Sequence, residues 1–136
     1  MVEQGGGGAI VNISSMSARY GYNTISVYAA TKAAVTSMTR SFAREWVKDG
    51  IRVNAISAGP IKTLAASGIG DFRYIMKWNE YNSPLRRNVT IDDVGKSALY
   101  LLSDLGSGTT GENLHVDAGY HVVGMKAVDA PDMSKD

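Results

Sequence analysis

The sequence predicts an α/β domain built on about three parallel strands with helices packed against them, and two observations carry that expectation. The apolar run Ala9 to Ile13 gives way at Ser14 and Ser15 to a Ser/Gly/Asn-rich stretch. A long Ala-rich helical pattern from Ser26 follows, and then a second run, from Ile51, alternating Ile/Val with polar residues. Strand, loop, helix of about twenty residues and strand make a parallel crossover, which is right-handed in nearly all proteins. A further helix and strand come later, with a helix start at Thr90 and a short apolar run at Asn113 to Val116. A chain of 136 residues has room for one domain, 1–136, with a single core.

Each element can be justified in order. Gly5 to Gly8 resembles a phosphate-binding loop in composition only. Such a loop needs a strand before it and a helix after it, so that the phosphate meets a helix N-terminus. Here four residues precede the glycines and a strand follows, so they read as a turn into that strand. The helix from Ser26 to Val47 places Ala29, Ala33, Met38, Phe42 and Trp46 among its apolar positions, and Lys48-Asp49-Gly50 ends it with a cation and then a glycine. Its small residues allow close approach of a second helix, and core packing explains the same pattern. Ile51 to Ile56 is the second strand, and the loop Ser57 to Thr63 follows at its carboxyl end, where open α/β sheets bind ligands. Thr90 is an N-cap with Asp92 and Asp93 in the first turn of a helix reaching about Ser103. Gly106, Gly108 and Gly111 form a loop, Asn113 to Val116 is the third strand, and Asp117-Ala118-Gly119 ends it. From Ala127 the chain is polar and aperiodic and is expected to be a loose tail.

Bulk properties exclude several function classes. Charge is nearly balanced, 14 basic against 13 acidic residues, and no basic run suggests nucleic-acid binding. No apolar run approaches the roughly 20 residues of a membrane helix. Residues 1–8 lack the charged-then-apolar build of a signal peptide, and the absence of cysteine fits a cytoplasmic protein. His115 and His121 lie six apart without a carboxylate cluster of ligand spacing, which argues against a metal site.

The chemistry-bearing residues are Ser15, at a strand's carboxyl end, and Tyr28 and Lys32, four apart on one helical face. A nearby ammonium favours the phenolate form of a phenol, and a serine hydroxyl can hold a carbonyl oxygen. Ser15, Tyr28 and Lys32, flanked by GGAIVNISS and by IRVNAISAGPIKT, resemble the catalytic signature of the short-chain dehydrogenase/reductase family. The resemblance implies a partial Rossmann-like three-layer fold that lacks the family's N-terminal cofactor-loop half. It implies Tyr28 as acid/base, Ser15 as carbonyl holder, and NAD or NADP held by Lys32, Gly59, Pro60, Ile61 and Thr63, in a site that is incomplete in this chain. It also implies that the three strands are sheet neighbours.

Residues 52–131 resemble bacterial enoyl-acyl-carrier-protein reductases more narrowly, through LAASGIGDFRYIMKWNEYNSPLRR and the stretch after it. Leu64, Ala65, Ile69, Phe72, Ile75 and Met76 would then wall an apolar acyl site, although an amphipathic helix on the core would use the same residues. Residues 5–50 instead resemble the carbonyl-reducing branch. Enoyl reductases place their active tyrosine seven residues before the lysine, where this chain has Ile25, and a second tyrosine where it has Ser15. The leading expectation is therefore an NAD(P)-dependent reductase of a carbonyl, including one borne on an acyl thioester. Enoyl reduction is the first alternative. An inactive fragment, or one with weak esterase activity through Ser15 or Tyr28, is the second. An uncovered edge along Ala9 to Ser14 leads us to expect a homo-oligomer.

Overall fold

Strand β1, Gly8–Ser15, pairs in parallel with β2, Ile51–Ala58, and β2 pairs in parallel with β3, Asn113–Val116, giving the sheet order β1-β2-β3. The structure is a computed structural model, and it describes residues 1–22, 25–63, 66 and 71–133. Three helices accompany the sheet: α1 (Ser26–Trp46), α2 (Phe72–Asn82) and α3 (Ile91–Leu102). The expected α/β architecture is present, with all three strands parallel and adjacent. β2 runs beyond the expected Ile56 to Ala58 because Ser57 and Ala58 still find partners on both sides, Ser14 and Ser15 on β1 and His115 and Val116 on β3.

Side-chain alternation along the strands fixes the layers. Asn12 Nδ2 donates to Thr39 Oγ1 at 3.0 Å, and Ser14 Oγ shares a 2.7 Å hydrogen bond with Thr36 Oγ1, so the even residues of β1 face α1. In register with them, Ile51 and Val53 of β2 form a buried core with Ala43, against which Ile10, Phe42 and Trp46 pack. The Phe42 and Trp46 rings stack at 4.3 Å. The opposite face carries Arg52, whose guanidinium donates to the Leu101 carbonyl at 2.7 Å and the Ser103 carbonyl at 3.1 Å. Carbonyls at the C-terminal end of a helix favour a cation, and Ser103 O also accepts from Gly106 N at 3.1 Å in the turn that follows α3. α1 and α3 thus cover opposite faces. Both crossovers step the same way across the sheet, so they are of opposite hand.

Helical geometry in α1 stops at Trp46 rather than Val47. Val47–Asp49 tighten into a 3-10 turn, and Gly50, at φ 70°, returns the chain through a left-handed conformation that glycine adopts without a Cβ clash. α3 opens as expected at Thr90, whose hydroxyl accepts from the Asp93 N–H at 3.1 Å while Asp93 accepts from the Thr90 N–H at 2.9 Å. The buried Asn54 amide is satisfied at both ends, donating to Thr109 O at 2.9 Å and accepting from Glu112 N at 3.0 Å, and so fixes the loop that leads into β3. The segment expected to be loose from Ala127 is tethered at its start. Ala127 N donates to Asn82 Oδ1 at 2.8 Å, and Asp129 pairs with Arg86 at 2.7 Å.

Gly8 N donates to Gly50 O, so Gly8, Ile10, Asn12 and Ser14 turn their backbone groups toward β2. Ala9, Val11 and Ile13 turn theirs to the outer edge of β1.

Candidate active site

Ser15 is the last residue of β1 and caps the short turn Met16–Ala18. Its hydroxyl accepts from Ser17 N at 3.2 Å and from Ser17 Oγ at 3.0 Å. With its lone pairs used in this way, the Ser15 O–H proton is left to donate elsewhere. Ser15 borders a cavity of about 420 Å³ between α1, β2, β3 and the turn, with Ala33, Thr36, Ser57 and Asn113 among its walls.

Tyr28 and Lys32 lie one turn apart near the start of α1, and Lys32 Nζ stands 5.5 Å from the centre of the Tyr28 ring. Tyr28 is half-exposed, at 47%. The Lys32 ammonium donates to the Ile13 carbonyl at 2.8 Å, on the outward side of β1 and two residues before Ser15. The three residues therefore gather around the carboxyl end of β1, but neither Tyr28 nor Lys32 lines the cavity that Ser15 borders.

The loop after β2 starts at Gly59, whose N–H donates to Val116 O at 2.9 Å. A Cβ on Gly59 would lie 3.0 Å from the Asp117 Cα, so the loop leaves β2 with its backbone pressed on the end of β3. Beyond it, Thr63 Oγ1 accepts from Ala66 N at 3.1 Å. Ile61 and Met76 share a cavity of about 480 Å³ with Lys62, Asn88 and Val89. Phe72 and Ile75 lie on α2 without lining it. Leu64, Ala65 and Ile69 lie outside the described residues.

Reasoning from the sequence missed a cluster at the end of β3. Asp117, 1% exposed, accepts from Gly119 N and His121 N, each at 3.0 Å, and lies 2.9 Å from His121 Nδ1. The His121 ring stacks on His115 at 4.2 Å. The spacing of Asp117 and His121, four residues apart, was the available signal. Tyr22 stands close by, and burial, with Tyr120, Tyr20 and Asp117 adding to it, pushes its phenol up to about 12. Among the described residues no group of three or more His, Asp and Glu has a metal-binding arrangement, and no helix is long and apolar enough to cross a membrane.

A family model described as enoyl-(acyl carrier protein) reductase matches residues 1–121 of the 136. The chain belongs to this family. It is 62% identical over 128 residues to the enoyl-(acyl-carrier-protein) reductase (NADH) 1 of Rhizobium meliloti, covering 94% of this chain and 47% of that one. It is 47% identical over 117 residues to the (NADPH) FabI of Staphylococcus aureus, covering 86% of this chain and 46% of the relative. The crystal structure of the Anaplasma phagocytophilum enzyme in complex with NAD superposes with a TM-score of 0.86 and 55% identity, over 93% of this chain and 46% of that chain. The chain thus spans about half the length of the relatives it matches, and its Rossmann-like sheet corresponds to part of theirs. The family match extends across residues 5–50, the part whose Ser15 and Tyr28 favour the carbonyl-reducing branch.

Proposed function

We propose that this chain carries the reactive half of an NAD(P)H-dependent reductase acting on the double bond of an enoyl thioester borne on acyl carrier protein. One observation carries the reading: the family match runs unbroken from residue 1 to residue 121, through both the Ser15–Lys32 segment and the Gly59–Thr63 loop. The sequence-based preference for carbonyl reduction gives way to it, because the relatives are named as enoyl reductases.

The bound nicotinamide supplies the hydride. Lys32 and the loop Gly59, Pro60, Ile61 and Thr63 hold the cofactor, the loop lying at the carboxyl end of β2, where open α/β sheets bind ligands. Ser15 donates its free hydroxyl proton to the thioester carbonyl oxygen, where negative charge develops. Tyr28 hydrogen-bonds the same oxygen while the enolate lasts, the Lys32 ammonium supports the negative charge there, and the α-carbon then takes its proton from solvent. Phe72 and Met76 of α2 wall the acyl chain, Met76 from the cavity it shares with Ile61. Carbonyl reduction stays as a second reading on one specific observation. Ile25 occupies the position of the enoyl reductase tyrosine, and Tyr28 sits beside Lys32 instead. The absence of cysteine fits a cytoplasmic setting, and the open β1 edge with the exposed Val27 and Met38 of α1 supports a homo-oligomer.

The test is a calorimetric titration with NADH and with NADPH, followed by turnover of crotonyl and acetoacetyl thioesters. Binding tighter than about 1 mM and preferential crotonyl turnover are expected. Preferential acetoacetyl turnover would establish the second reading. Absence of binding would remove both.

A further inference from the structure

We propose that Asp117, His121, His115 and Tyr20 form a proton-responsive clasp that positions the turn after Ser15 and helix α2 beside the candidate site. Calling Ser15 a site residue rests on the proposed function; the clasp itself rests on geometry alone.

The buried Asp117 carboxylate is held by two backbone N–H groups and the His121 ring, which fixes the turn Gly119–Val122. Gly119 takes φ 84° there, and a Cβ on it would lie 3.0 Å from Pro84 Cγ. Two ties leave this turn. The Tyr20 hydroxyl donates to the His121 carbonyl, and Tyr20 N donates to Met16 O at 3.1 Å, in the turn capped by Ser15. Next to His121, the Tyr120 hydroxyl accepts from Trp78 Nε1 of α2 at 2.9 Å. One short turn therefore fastens both elements to the end of β3.

His115 is where a proton would loosen it. Its ring lies 4.2 Å from His121, and a positive charge placed on it would face His121 and Arg19, with Asp117 and Glu112 opposing. Arg40 of α1 shares the cavity on one side of His115, and Arg87 and Asp93 share the cavity on the other, where they already pair with each other at 2.7 Å. The phenol of Tyr22 stays neutral throughout the relevant range. Burial first, then His121, holds His115 below the ordinary imidazole value of about 6.5. The unfolded or opened state thus binds the extra proton more readily, so the closed arrangement is fully favoured above about pH 6.5 and loses ground as pH falls below it.

The experiment is nuclear magnetic resonance of the full chain from neutral to acid pH, with no cofactor or substrate present. It follows the two imidazoles, the Ser17 and Val53 amides and the Trp78 indole N–H. Ser17 and Trp78 are expected to shift with the midpoint of His115, while Val53, in the core, stays in place. His115→Phe keeps a stacked ring without its charge and is expected to abolish the shift. Tyr20→Phe is expected to uncouple Ser17 while Trp78 still responds; should that variant not fold, His115→Phe decides. Ser17 and Trp78 unmoved through the imidazole titration, an unchanged transition in His115→Phe, or Val53 shifting at the same midpoint would each overturn the clasp. None of these outcomes bears on nucleotide binding, so the clasp and the reductase reading fail separately.

Discussion

The Lys32 ammonium meets the Tyr28 ring on its own helix and the Ile13 carbonyl on β1. Tyr28→Phe keeps the ring and removes the hydroxyl, so nucleotide binding should persist while turnover falls by about 10²–10⁴ in a steady-state assay. Thr90→Ala removes one half of the capping pair with Asp93 and should cost about 1 kcal/mol in chemical denaturation. The Arg87 guanidinium, followed by the Thr90 N–H, holds the Asp93 carboxyl well below its ordinary value. Its contribution is therefore present above about pH 4 and is lost as pH falls below that. The pair is exposed, so raising the salt concentration should shrink the effect, as acid titrations at two ionic strengths would report. Ser15, Tyr28 and Lys32 were legible because their relation is local, set by one strand end and one helical turn. The Tyr20–His121 bond was not, because it joins residues 101 apart and no periodicity marks such a pair.

At the scale of elements, β3 came out of the sequence with its bounds intact, because a glycine-rich loop precedes it and Asp117-Ala118-Gly119 closes it. The end of β2 was misplaced, since only pairing with both neighbours carries the polar Ser57 into the sheet. The face taken by α3 was hidden too. It is decided by Arg52, the one charged residue of β2, whose reason is the row of carbonyls it meets. Arg52→Met keeps most of the side chain's volume and removes the guanidinium from all three carbonyls, leaving Ser103 O with Gly106 N and Thr109 O with the Asn54 amide. It should destabilise the fold by about 1.5–3 kcal/mol, measured by urea unfolding. Leu101→Ala opens a cavity at a side chain that is fully buried and should cost about 2–5 kcal/mol by the same measurement.

At the scale of the whole molecule, the sheet carries helices on both faces, and among the described residues no strand lies beyond β1. The residues on that edge, Gly8 to Ser15, include no proline and no charge that would discourage pairing, and Ile13 is 50% exposed. Light scattering over a wide concentration range should show self-association, and Ile13→Lys, which places a charge on the edge, should weaken it at least several-fold. The Ile13 carbonyl that faces outward is already occupied by Lys32. A strand arriving at this edge must displace the ammonium, so docking and the release of Lys32 are one coupled equilibrium. By reciprocity, any ligand that draws Lys32 away from the strand strengthens docking by the same factor by which docking strengthens the ligand.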